Sequence, residues 1–273
     1  MGEVPYLTLN NGVRIPQLGF GVWQVPADEV VEPVRIALET GYRHVDTAAA
    51  YGNEEGVGQA IREAGVARED LFVTTKLWNA DHANAGEAFD VSLRKLGLDY
   101  VDLYLIHWPR PDKDQYVEAY RAMEKVLAEG RARAIGVSNF HQAHLEKLLA
   151  ETEVVPAVNQ IELHPGFDQA ELRAFNRAHG IQTEAWSPIG QGKGLLDNPA
   201  LAEIAAEVGR TPAQTVLRWH LQLGNVVFPK SVTPARIREN FEVFDFALNA
   251  AQMDAISALP GERIGANPET AFF

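Results

Sequence analysis

Eight short apolar segments, each followed by a helical pattern, constrain the fold of this chain more than any other feature of its sequence. Each segment is typical of a buried β-strand because it is short, predominantly apolar and bounded by polar residues or glycine. These segments cover residues 17–21, 43–46, 71–76, 101–107, 132–138, 157–162, 181–186 and 226–230. Strands that alternate with helices form a parallel sheet, and eight such units predict a closed (β/α)8 TIM barrel. A doubly wound open sheet is the alternative.

A hairpin precedes the strands, and helical patterns lie between them. Residues 6–9 and 13–15 flank Asn10-Asn11-Gly12, a turn sequence that predicts an N-terminal β-hairpin. Apolar residues at helical spacing predict helices at residues 28–39, 53–63, 85–96, 116–127, 141–150, 169–179, 199–208, 212–223, 234–244 and 250–259. Asn53 is expected to cap the second of these helices. Because no linker interrupts the alternation, residues 1–273 are predicted to form a single domain, with extra helices near the C-terminus.

Composition excludes several classes of function. The formal net charge of −13 argues against nucleic acid or an anionic membrane as a general partner. Because the chain has no cysteine, disulfide bonds, thiolate zinc sites and cysteine nucleophiles are excluded. Residues 1–9 do not resemble a signal peptide, and no apolar run is long enough to span a bilayer, so the cytoplasm is the expected compartment.

Polar or hydrogen-bonding residues end seven of the eight predicted strands, where a barrel of this kind carries its chemistry, and three of these strands end in a candidate catalytic residue. Asp46, Lys76 and His107 occupy these ends, and Tyr51 follows Asp46 on the same strand-to-helix loop. Since a buried carboxylate beside a phenol is costly unless a cation joins them, Lys76 is expected to join Asp46 and Tyr51. An ammonium group at this distance should lower the pKa of the phenol from its ordinary value of ~10.

Together these four residues suit the reduction of a carbonyl group. Tyr51 would act as the acid, and Lys76 and Asp46 would tune it. His107 would orient the carbonyl oxygen. Taken singly, Tyr51 and His107 could be buried packing residues, Lys76 could be a strand-edge charge, and Asp46 could be a helix cap.

Carbonyl reduction needs a source of hydride, and a nicotinamide cofactor would supply it. The glycine-rich segments at residues 19–21, 56–58 and 190–194 lack the spacing of a Rossmann fingerprint. Trp186 stands at another strand end, where it could stack on a flat ring or simply belong to the core.

A phosphate site is predicted after the last strand. Lys230, Ser231 and Arg236 lie just before and within the start of a helix, where main-chain amide groups favour anions. A solvated basic turn is the alternative interpretation of these residues.

Two histidines at helical spacing, His141 and His144, have the separation of a helical metal pair. No third ligand lies nearby in the sequence, so both are expected to be surface residues and no metal site is predicted. His164 is expected to have a structural role.

Five ordered blocks of sequence carry a resemblance to a known family. They are GYRHVDTAAAYGNE at residues 41–54, VDLYLIHWP at 101–109, IGVSNF at 135–140, VNQIELHP at 158–165 and FPKS at 228–231. The chain resembles the aldo-keto reductases over nearly its whole length. It is most similar to the prokaryotic branch that contains 2,5-diketo-D-gluconate reductases and broad aldehyde and ketone reductases.

The resemblance implies an NADPH-dependent oxidoreductase and assigns roles to individual residues. The implied catalytic tetrad is Asp46, Tyr51, Lys76 and His107. The implied NADPH-binding residues are Ser138, Asn139, Gln160, Trp186, Ser187, Ile189, Gly190, Gln191, Lys230, Ser231, Val232, Arg236, Glu239 and Asn240. The implied substrate-pocket residues are Trp23, Trp78, His107 and Trp108.

Within these roles, Ser138, Asn139 and Gln160 would bind the nicotinamide amide, with Trp186 stacked on the ring. The segment from Ser187 to Gln191 would contact the pyrophosphate. The residues from Lys230 onward would bind the adenosine 2′-phosphate and the adenine.

The resemblance also implies a small-molecule carbonyl substrate and a monomer. Dicarbonyls are the expected substrates, with 2,5-diketo-D-gluconate among the candidates. The short tail after Leu259 is expected to leave the pocket open. Two other functions stay open: a Schiff-base lyase that uses Lys76 as its nucleophile, and a sensory module that holds NADPH with little turnover.

Overall fold

The computed structural model describes residues 3–273. A ring of eight parallel strands forms its centre, and a two-stranded antiparallel hairpin precedes the ring. The hairpin strands are β1 (Tyr6–Thr8) and β2 (Arg14–Pro16). The parallel strands are β3 (Phe20–Gly21), β4 (His44–Asp46), β5 (Phe72–Leu77), β6 (Val101–Ile106), β7 (Ala132–Ser138), β8 (Val158–Glu162), β9 (Gln182–Trp186) and β10 (Val226–Val227). The predicted hairpin is confirmed.

The barrel closes through the segment that leads into β3. Leu18 pairs with Val227 in parallel. The main chain of Val227 also bonds to Gln17 at 3.1 Å and to Gly19 at 2.7 Å. The first and last strands are therefore neighbours, as a closed barrel requires and an open doubly wound sheet does not. The (β/α)8 barrel expected from the sequence is confirmed.

The first and last barrel strands are shorter than predicted. β10 ends at Val227, whereas the prediction continued to residue 230. Pro229 lies in the missing part and has no N–H group to donate to a neighbouring strand, which explains the early end. At the other edge, the main chain before Phe20 joins the barrel through the single bridge at Leu18.

Ten α-helices occur within residues 3–273. They are α1 (Val31–Thr40), α2 (Glu54–Glu63), α3 (Ala85–Leu96), α4 (Tyr116–Ala128), α5 (Gln142–Glu151), α6 (Ala170–Ala178), α7 (Pro199–Glu207), α8 (Pro212–Gln222), α9 (Pro234–Phe241) and α10 (Ala250–Ser257). α1 begins later than predicted, which places Pro33 in its first turn, where a helix does not need the missing N–H group. Over the same residues, no helix is long and apolar enough to cross a membrane.

The two ends of the barrel interior differ in polarity. At the amino-terminal end, Leu9 and Ile15 of the hairpin region pack against interior apolar side chains. These side chains belong to Phe72, Leu103, Leu105, Ala134, Ala157, Val158 and Val226. Toward the carboxyl ends of the strands, the buried side chains are polar and include Asp46, Lys76, Gln160 and Glu184. Since buried polar groups are costly unless they bond to one another, this end is the candidate functional site.

Candidate active site

A buried ion pair between Lys76 and Asp46 forms the centre of the site. The Lys76 ammonium group lies 2.6 Å from Asp46 Oδ1 and donates a second hydrogen bond, of 2.9 Å, to the main-chain oxygen of Thr47. Both charged side chains are at most 3% exposed. Strand pairing produces this contact: Asp46 ends β4 opposite Thr74 of β5, and Lys76 lies two residues further along the same face.

The attraction between the two charges of this pair offsets part of the cost of burying them. Burial disfavours the charged form of Lys76, but attraction from Asp46 and Tyr51 outweighs it, so the pKa of Lys76 lies above its ordinary value. Burial raises the pKa of Asp46, and bonds from Lys76 and Gln160 oppose part of that rise. Lys76 is therefore an ammonium group at neutral pH.

Tyr51 lies beside this pair on a 3-10 turn, Ala49–Tyr51, which begins three residues after the end of β4. Gly52 ends the turn with a φ of 67°, a conformation that glycine adopts without strain. The Tyr51 hydroxyl is 3.4 Å from Lys76 Nζ. Burial raises the pKa of the phenol more than Lys76 lowers it, so the net shift is upward. The downward shift predicted from the sequence is wrong for this structure, and the phenol holds its proton at neutral pH.

His107 follows β6 directly and presents an uncharged imidazole to Tyr51. Burial, with a smaller contribution from Lys76, holds the pKa of His107 well below its ordinary value. Its ring meets the rings of Tyr51 and Trp78 edge-on, with centroids 5.6 and 5.3 Å apart. Among residues 3–273, no group bonds to Nδ1. The structure thus brings together the four residues that the sequence analysis grouped in one polar site.

Asn53 stands at the N-cap position of α2, as predicted, but its side chain makes no capping hydrogen bond. Its amide group is buried and donates to the main-chain oxygens of Val22 and Val25, both at 3.0 Å. The hydroxyl of Thr47 donates to Asn53 Oδ1 at 2.9 Å. Asn53 therefore ties the loop after β3 to the loop that carries Tyr51, and unpaired main-chain oxygens outcompete the helix terminus for its side chain.

Residues predicted to hold a nicotinamide ring form a connected network. Trp186 Nε1 donates to Asn139 Oδ1 at 2.8 Å, and Asn139 Nδ2 donates to the main-chain oxygen of His107 at 3.0 Å. Ser138 Oγ donates to the main-chain oxygen of Gln160 at 2.9 Å. Asn139 has a φ of 64°, a conformation more accessible to asparagine than to most residues. The network joins the partly exposed Trp186 ring to the segment that carries His107.

The loop after β9 carries the residues predicted to contact a pyrophosphate. Ser187, Gly190 and Gln191 have φ values of 52°, 73° and 53°, and Ile189 lies between them. Gln191 Nε2 donates to Ser187 Oγ at 2.6 Å, and the Gly190 N–H donates to the Ser187 carbonyl at 3.0 Å. The loop is a tight turn whose own polar groups hold its shape.

The predicted phosphate site surrounds the start of α9. Lys230, Val232 and Arg236 are exposed, and Ser231 is nearly buried. Ser231 Oγ accepts a hydrogen bond of 3.1 Å from the main-chain N–H of Thr233. Two exposed cationic side chains beside a helix amino-terminus form an arrangement suited to an anion.

Further along α9, the two residues predicted to meet the adenine are already bonded or buried. Glu239 Oε1 accepts from the hydroxyl of Thr211 at 2.8 Å. Asn240 is 5% exposed. The structure places both on the same helix as Arg236, and Glu239 remains partly accessible.

The predicted substrate-pocket tryptophans lie on three loops at the carboxyl ends of the strands. Trp23 follows β3 and is 44% exposed, Trp78 follows β5, and Trp108 follows His107 and is 8% exposed. Trp78 also contacts the tetrad directly, because its ring meets that of His107 edge-on.

The end of the chain covers two of these tryptophans. The Phe273 ring lies parallel to Trp78, with centroids 6.0 Å apart, and meets Trp108 edge-on at 5.2 Å. Asn79 Nδ2 and Arg110 Nη1 donate to the main-chain oxygen of Phe273 at 2.9 and 2.8 Å. The short tail was expected to leave the pocket open, but it reaches the rim and adds a third aromatic ring.

Comparison with known proteins places this geometry in a family. A sequence model of the Aldo/keto reductase family matches residues 17–260. The chain belongs to this family. It is 54% identical to a methylglyoxal reductase DkgA from Yersinia pestis, and the match covers 97% of this chain and 96% of that protein.

Solved structures agree with the assignment. The chain is 57% identical to an aldo/keto reductase from Brucella melitensis, with a TM-score of 0.91 over 94% of this chain and 98% of the other. It is 46% identical to a Gox0644 mutant solved in complex with NADPH, with a TM-score of 0.95 over 100% of both chains. The resemblance inferred from the five sequence blocks is confirmed at the level of the family.

A buried glutamate, Glu162, anchors the tail, which we define as residues 260–273. Its carboxylate accepts from the main-chain N–H groups of Ile264 and Gly265 at 2.6 and 2.9 Å, and it bonds to His164 at 3.0 Å. Burial opposes the charge of Glu162, but these bonds outweigh burial and hold its pKa below the ordinary value. Glu162 was not among the predicted site residues, although it belongs to the block VNQIELHP.

His141 and His144 were predicted to be surface residues with no third ligand nearby, and this prediction is wrong. His144 is 6% exposed, and Glu269 of the tail supplies a third group, with Oε1 2.8 Å from His141 Nδ1 and 3.5 Å from His144 Nε2. Sequence distance hid this contact, because the tail lies more than 100 residues away.

The chemistry of these three residues favours a hydrogen-bonded clasp over a metal site. The main-chain N–H of His141 donates to His144 Nδ1 at 3.2 Å, and Arg263 Nη2 lies 3.4 Å from His141 Nε2. When one nitrogen of a neutral imidazole accepts a hydrogen bond, the proton is on the other nitrogen. In His141 and in His144, that protonated nitrogen faces Glu269. We call these three residues the tail clasp.

Glu184 is the second buried acid that sequence reasoning missed. It lies in β9 two residues before Trp186, so both side chains face the barrel interior. Its side chain is fully buried and bonds to Gln160 Nε2 at 2.9 Å. The sequence feature that could have identified Glu184 is an acidic residue at an inward-facing position of a buried strand.

Proposed function

We propose that this chain is a single-domain, NADPH-dependent reductase that converts aldehydes and ketones to alcohols. The observation that carries the proposal is the buried Lys76–Asp46 pair with the Tyr51 hydroxyl beside it. A protonated phenol held next to an ammonium group, at a mouth walled by aromatic rings, suits the delivery of a proton to a carbonyl oxygen.

Tyr51 is the proposed proton donor. Bound NADPH would supply the hydride to the carbonyl carbon. As the carbonyl oxygen becomes negative, the Tyr51 hydroxyl gives it a proton, and Lys76 stabilises the phenolate left behind. Asp46 keeps Lys76 charged and in place, and the neutral His107 imidazole can donate a hydrogen bond to the same oxygen without competing for the proton.

The residues that would hold NADPH match the chemistry of its parts. The flat, partly exposed Trp186 ring suits stacking on the nicotinamide, next to Asn139 and Gln160. Lys230 and Arg236 at the start of α9 suit the 2′-phosphate, which NADPH has and NADH lacks.

Small uncharged dicarbonyls such as methylglyoxal are the substrates that the rim favours. Arg110 is the cation nearest to Phe273, but Asp112 occupies its Nε and Nη2 at 2.7 and 2.8 Å. The main-chain oxygen of Phe273 accepts from Nη1, so three of the five N–H groups of the guanidinium are already used. A carboxylate substrate such as 2,5-diketo-D-gluconate would have to share Arg110 with the Asp112 carboxylate, which already offsets its charge. The name of the Yersinia pestis relative agrees with this preference.

The test compares wild type with Tyr51→Phe in NADPH oxidation assays. The panel contains methylglyoxal, an aromatic aldehyde, a simple ketone and 2,5-diketo-D-gluconate, with NADH as the alternative cofactor. We expect Tyr51→Phe to lose about 10²–10⁴-fold in turnover while its NADPH affinity stays unchanged, because only the transferred proton is removed. Methylglyoxal should exceed 2,5-diketo-D-gluconate in kcat/KM.

Two results would overturn this function. NADPH binding without turnover on any carbonyl would favour a sensory module. Covalent trapping of a carbonyl on Lys76 by borohydride would favour a Schiff-base lyase, a role that the raised pKa of Lys76 opposes, since only the neutral amine is a nucleophile.

A further inference from the structure

One amide group connects two buried carboxyl groups in the barrel interior. Gln160 Nε2 lies 2.8 Å from Asp46 Oδ2 and 2.9 Å from Glu184 Oε2. An amide nitrogen has two hydrogens, so both are used by these two acceptors. The orientation of the Gln160 amide is therefore fixed, and its Oε1 atom is the part left to meet another molecule.

Glu184 accepts one of the two hydrogen bonds that fix the orientation of the Gln160 amide. Without it, the Gln160 amide would retain a single bond to Asp46 and could rotate about that bond. Glu184 Oε1, by contrast, has no hydrogen-bond partner within residues 3–273. An ionised carboxylate with an unpaired buried oxygen is costly, whereas a protonated carboxyl group is much less so.

The charges around Glu184 also favour a bound proton. Asp46 on β4 and Lys76 on β5 are the titratable groups that influence it, while its neighbours in the sheet, Gln160 on β8 and Val226 on β10, do not titrate. Lys76 bonds to Asp46 and not to Glu184. Burial, together with the Asp46 charge, raises the pKa of Glu184 to about 8.

We propose that Glu184 is a positioning residue that orients the Gln160 amide and, by gaining or losing a proton, sets the negative charge beneath the nicotinamide site. This proposal rests on the proposed function, because it needs a nicotinamide beside Gln160. At a pH too low to ionise Glu184, the charged groups at this point are the Asp46 carboxylate and the Lys76 ammonium group. Above it, a second carboxylate appears next to Asp46.

The added charge should distinguish the two forms of the cofactor. Oxidised nicotinamide carries a positive charge on its ring and reduced nicotinamide does not, so ionised Glu184 attracts only the oxidised form. At an effective dielectric constant of about 20, one added unit charge beneath the ring should change the relative affinity on the order of fivefold after screening. High pH therefore favours NADP⁺ over NADPH.

The experiment measures Kd for NADP⁺ and NADPH between pH 6.5 and 9.5 in the full chain. Wild type should show the NADP⁺ to NADPH affinity ratio rising about fivefold around pH 8. Glu184→Gln keeps an acceptor for Gln160 but cannot ionise, so its ratio should stay flat. Glu54→Gln is the matched control: Glu54 is also a buried acid, bonded to Thr75 instead of Gln160, and its variant should behave as wild type.

A ratio that is flat in wild type, or that rises equally in Glu184→Gln, would overturn the proposal. If Glu184→Gln does not fold, infrared difference spectra of wild type give the same decision. A protonated carboxyl band that disappears between pH 7 and 9 supports the proposal, and its absence overturns it. Failure to bind either cofactor form would instead refute the proposed function, so the two failures are distinguishable.

Discussion

Two buried glutamates on neighbouring strands, Glu184 in the barrel interior and Glu162 against the tail, behave in opposite ways. Glu184 in the interior bonds to one shared amide, and burial raises its pKa. Glu162 accepts two main-chain N–H groups of the tail and bonds to His164, and these bonds lower its pKa. The number of donors around a buried carboxyl group thus decides whether it holds a proton or a charge.

The tetrad and the tail also differ in how firmly the structure holds them in place. The tetrad sits on strand ends and short turns, held by an ion pair that is almost fully buried. The tail is partly exposed and depends on a few hydrogen bonds and on the aromatic contacts of Phe273 with Trp78 and Trp108. We expect damage to the interior to affect the whole fold, and damage to the tail to remain local.

Removing Lys76 should have the largest effect on stability. Lys76→Met leaves the Asp46 carboxylate buried without its cation, which costs about 3–5 kcal/mol in the free energy of unfolding. Urea denaturation measures the loss. The double variant with Asp46→Asn should recover part of it, because the unpaired charge is then gone.

The control for this prediction is Lys147→Met. Lys147 pairs with Asp114 at 2.5 Å on the surface, so its loss should cost less than about 1 kcal/mol. Equal losses in the two variants would show that burying the Lys76–Asp46 pair does not increase the cost of removing its cation.

Removing the charge of Glu162 should have a smaller and local effect. Glu162→Gln weakens the bonds to Ile264 and Gly265 by about 1.5–3 kcal/mol in total, and so speeds hydrogen exchange at these two amides by roughly 10–100-fold. Exchange in the barrel strands should not change. Glu262→Gln, an exposed acid on the same tail, is the control and should leave exchange unaltered.

The pH dependence of the two glutamates should have opposite signs. The folded-state pKa of Glu162 is lowered, so its stabilisation is present above the ordinary glutamate pKa and is lost as the pH falls below it. The folded-state pKa of Glu184 is raised, so its contribution declines as the pH rises from its ordinary value toward about 8. Thermal unfolding of Glu162→Gln and Glu184→Gln against wild type, from pH 3 to pH 9, measures both. Slopes of the same sign would contradict the comparison.

Removing the Phe273 ring should have the smallest effect. Phe273→Ala removes the ring that lies beside Trp78 and Trp108 at the rim, so an aromatic aldehyde would lose a contact worth about 0.5–1.5 kcal/mol and its KM should rise roughly 2–10-fold. NADPH affinity should not change, and any loss of stability should be confined to the tail. Phe272→Ala is the control, since Phe272 has the same exposure, and it should leave KM unchanged.

Much of the fold followed from periodicity in the sequence, and so did the grouping of the tetrad. Strand pairing carries Asp46 and Lys76 to the same end of the barrel, and this rule needs no knowledge of distant residues. What could not be predicted depends on contacts between distant parts of the chain. The tail clasp joins Glu269 to His141, and the main-chain oxygens that capture Asn53 are identifiable only in the folded chain.

The sign of the Tyr51 pKa shift was missed for a related reason. The sequence names the neighbouring ammonium group, but it does not give the extent of burial, and burial is the larger contribution. Glu184 was missed because an acid in a buried strand becomes meaningful only when its partner, Gln160, is known.

The anchoring of the tail has a consequence for how this scaffold can diverge. Glu162 holds Ile264 and Gly265 through main-chain N–H groups, which every residue except proline provides. Gly265 is constrained, because a Cβ there would lie 2.3 Å from the Trp186 ring. The route of the tail is thus set by the barrel, while most of its side chains are free to change. A transplanted tail that keeps this glycine would follow the same route and bring new side chains over Trp78.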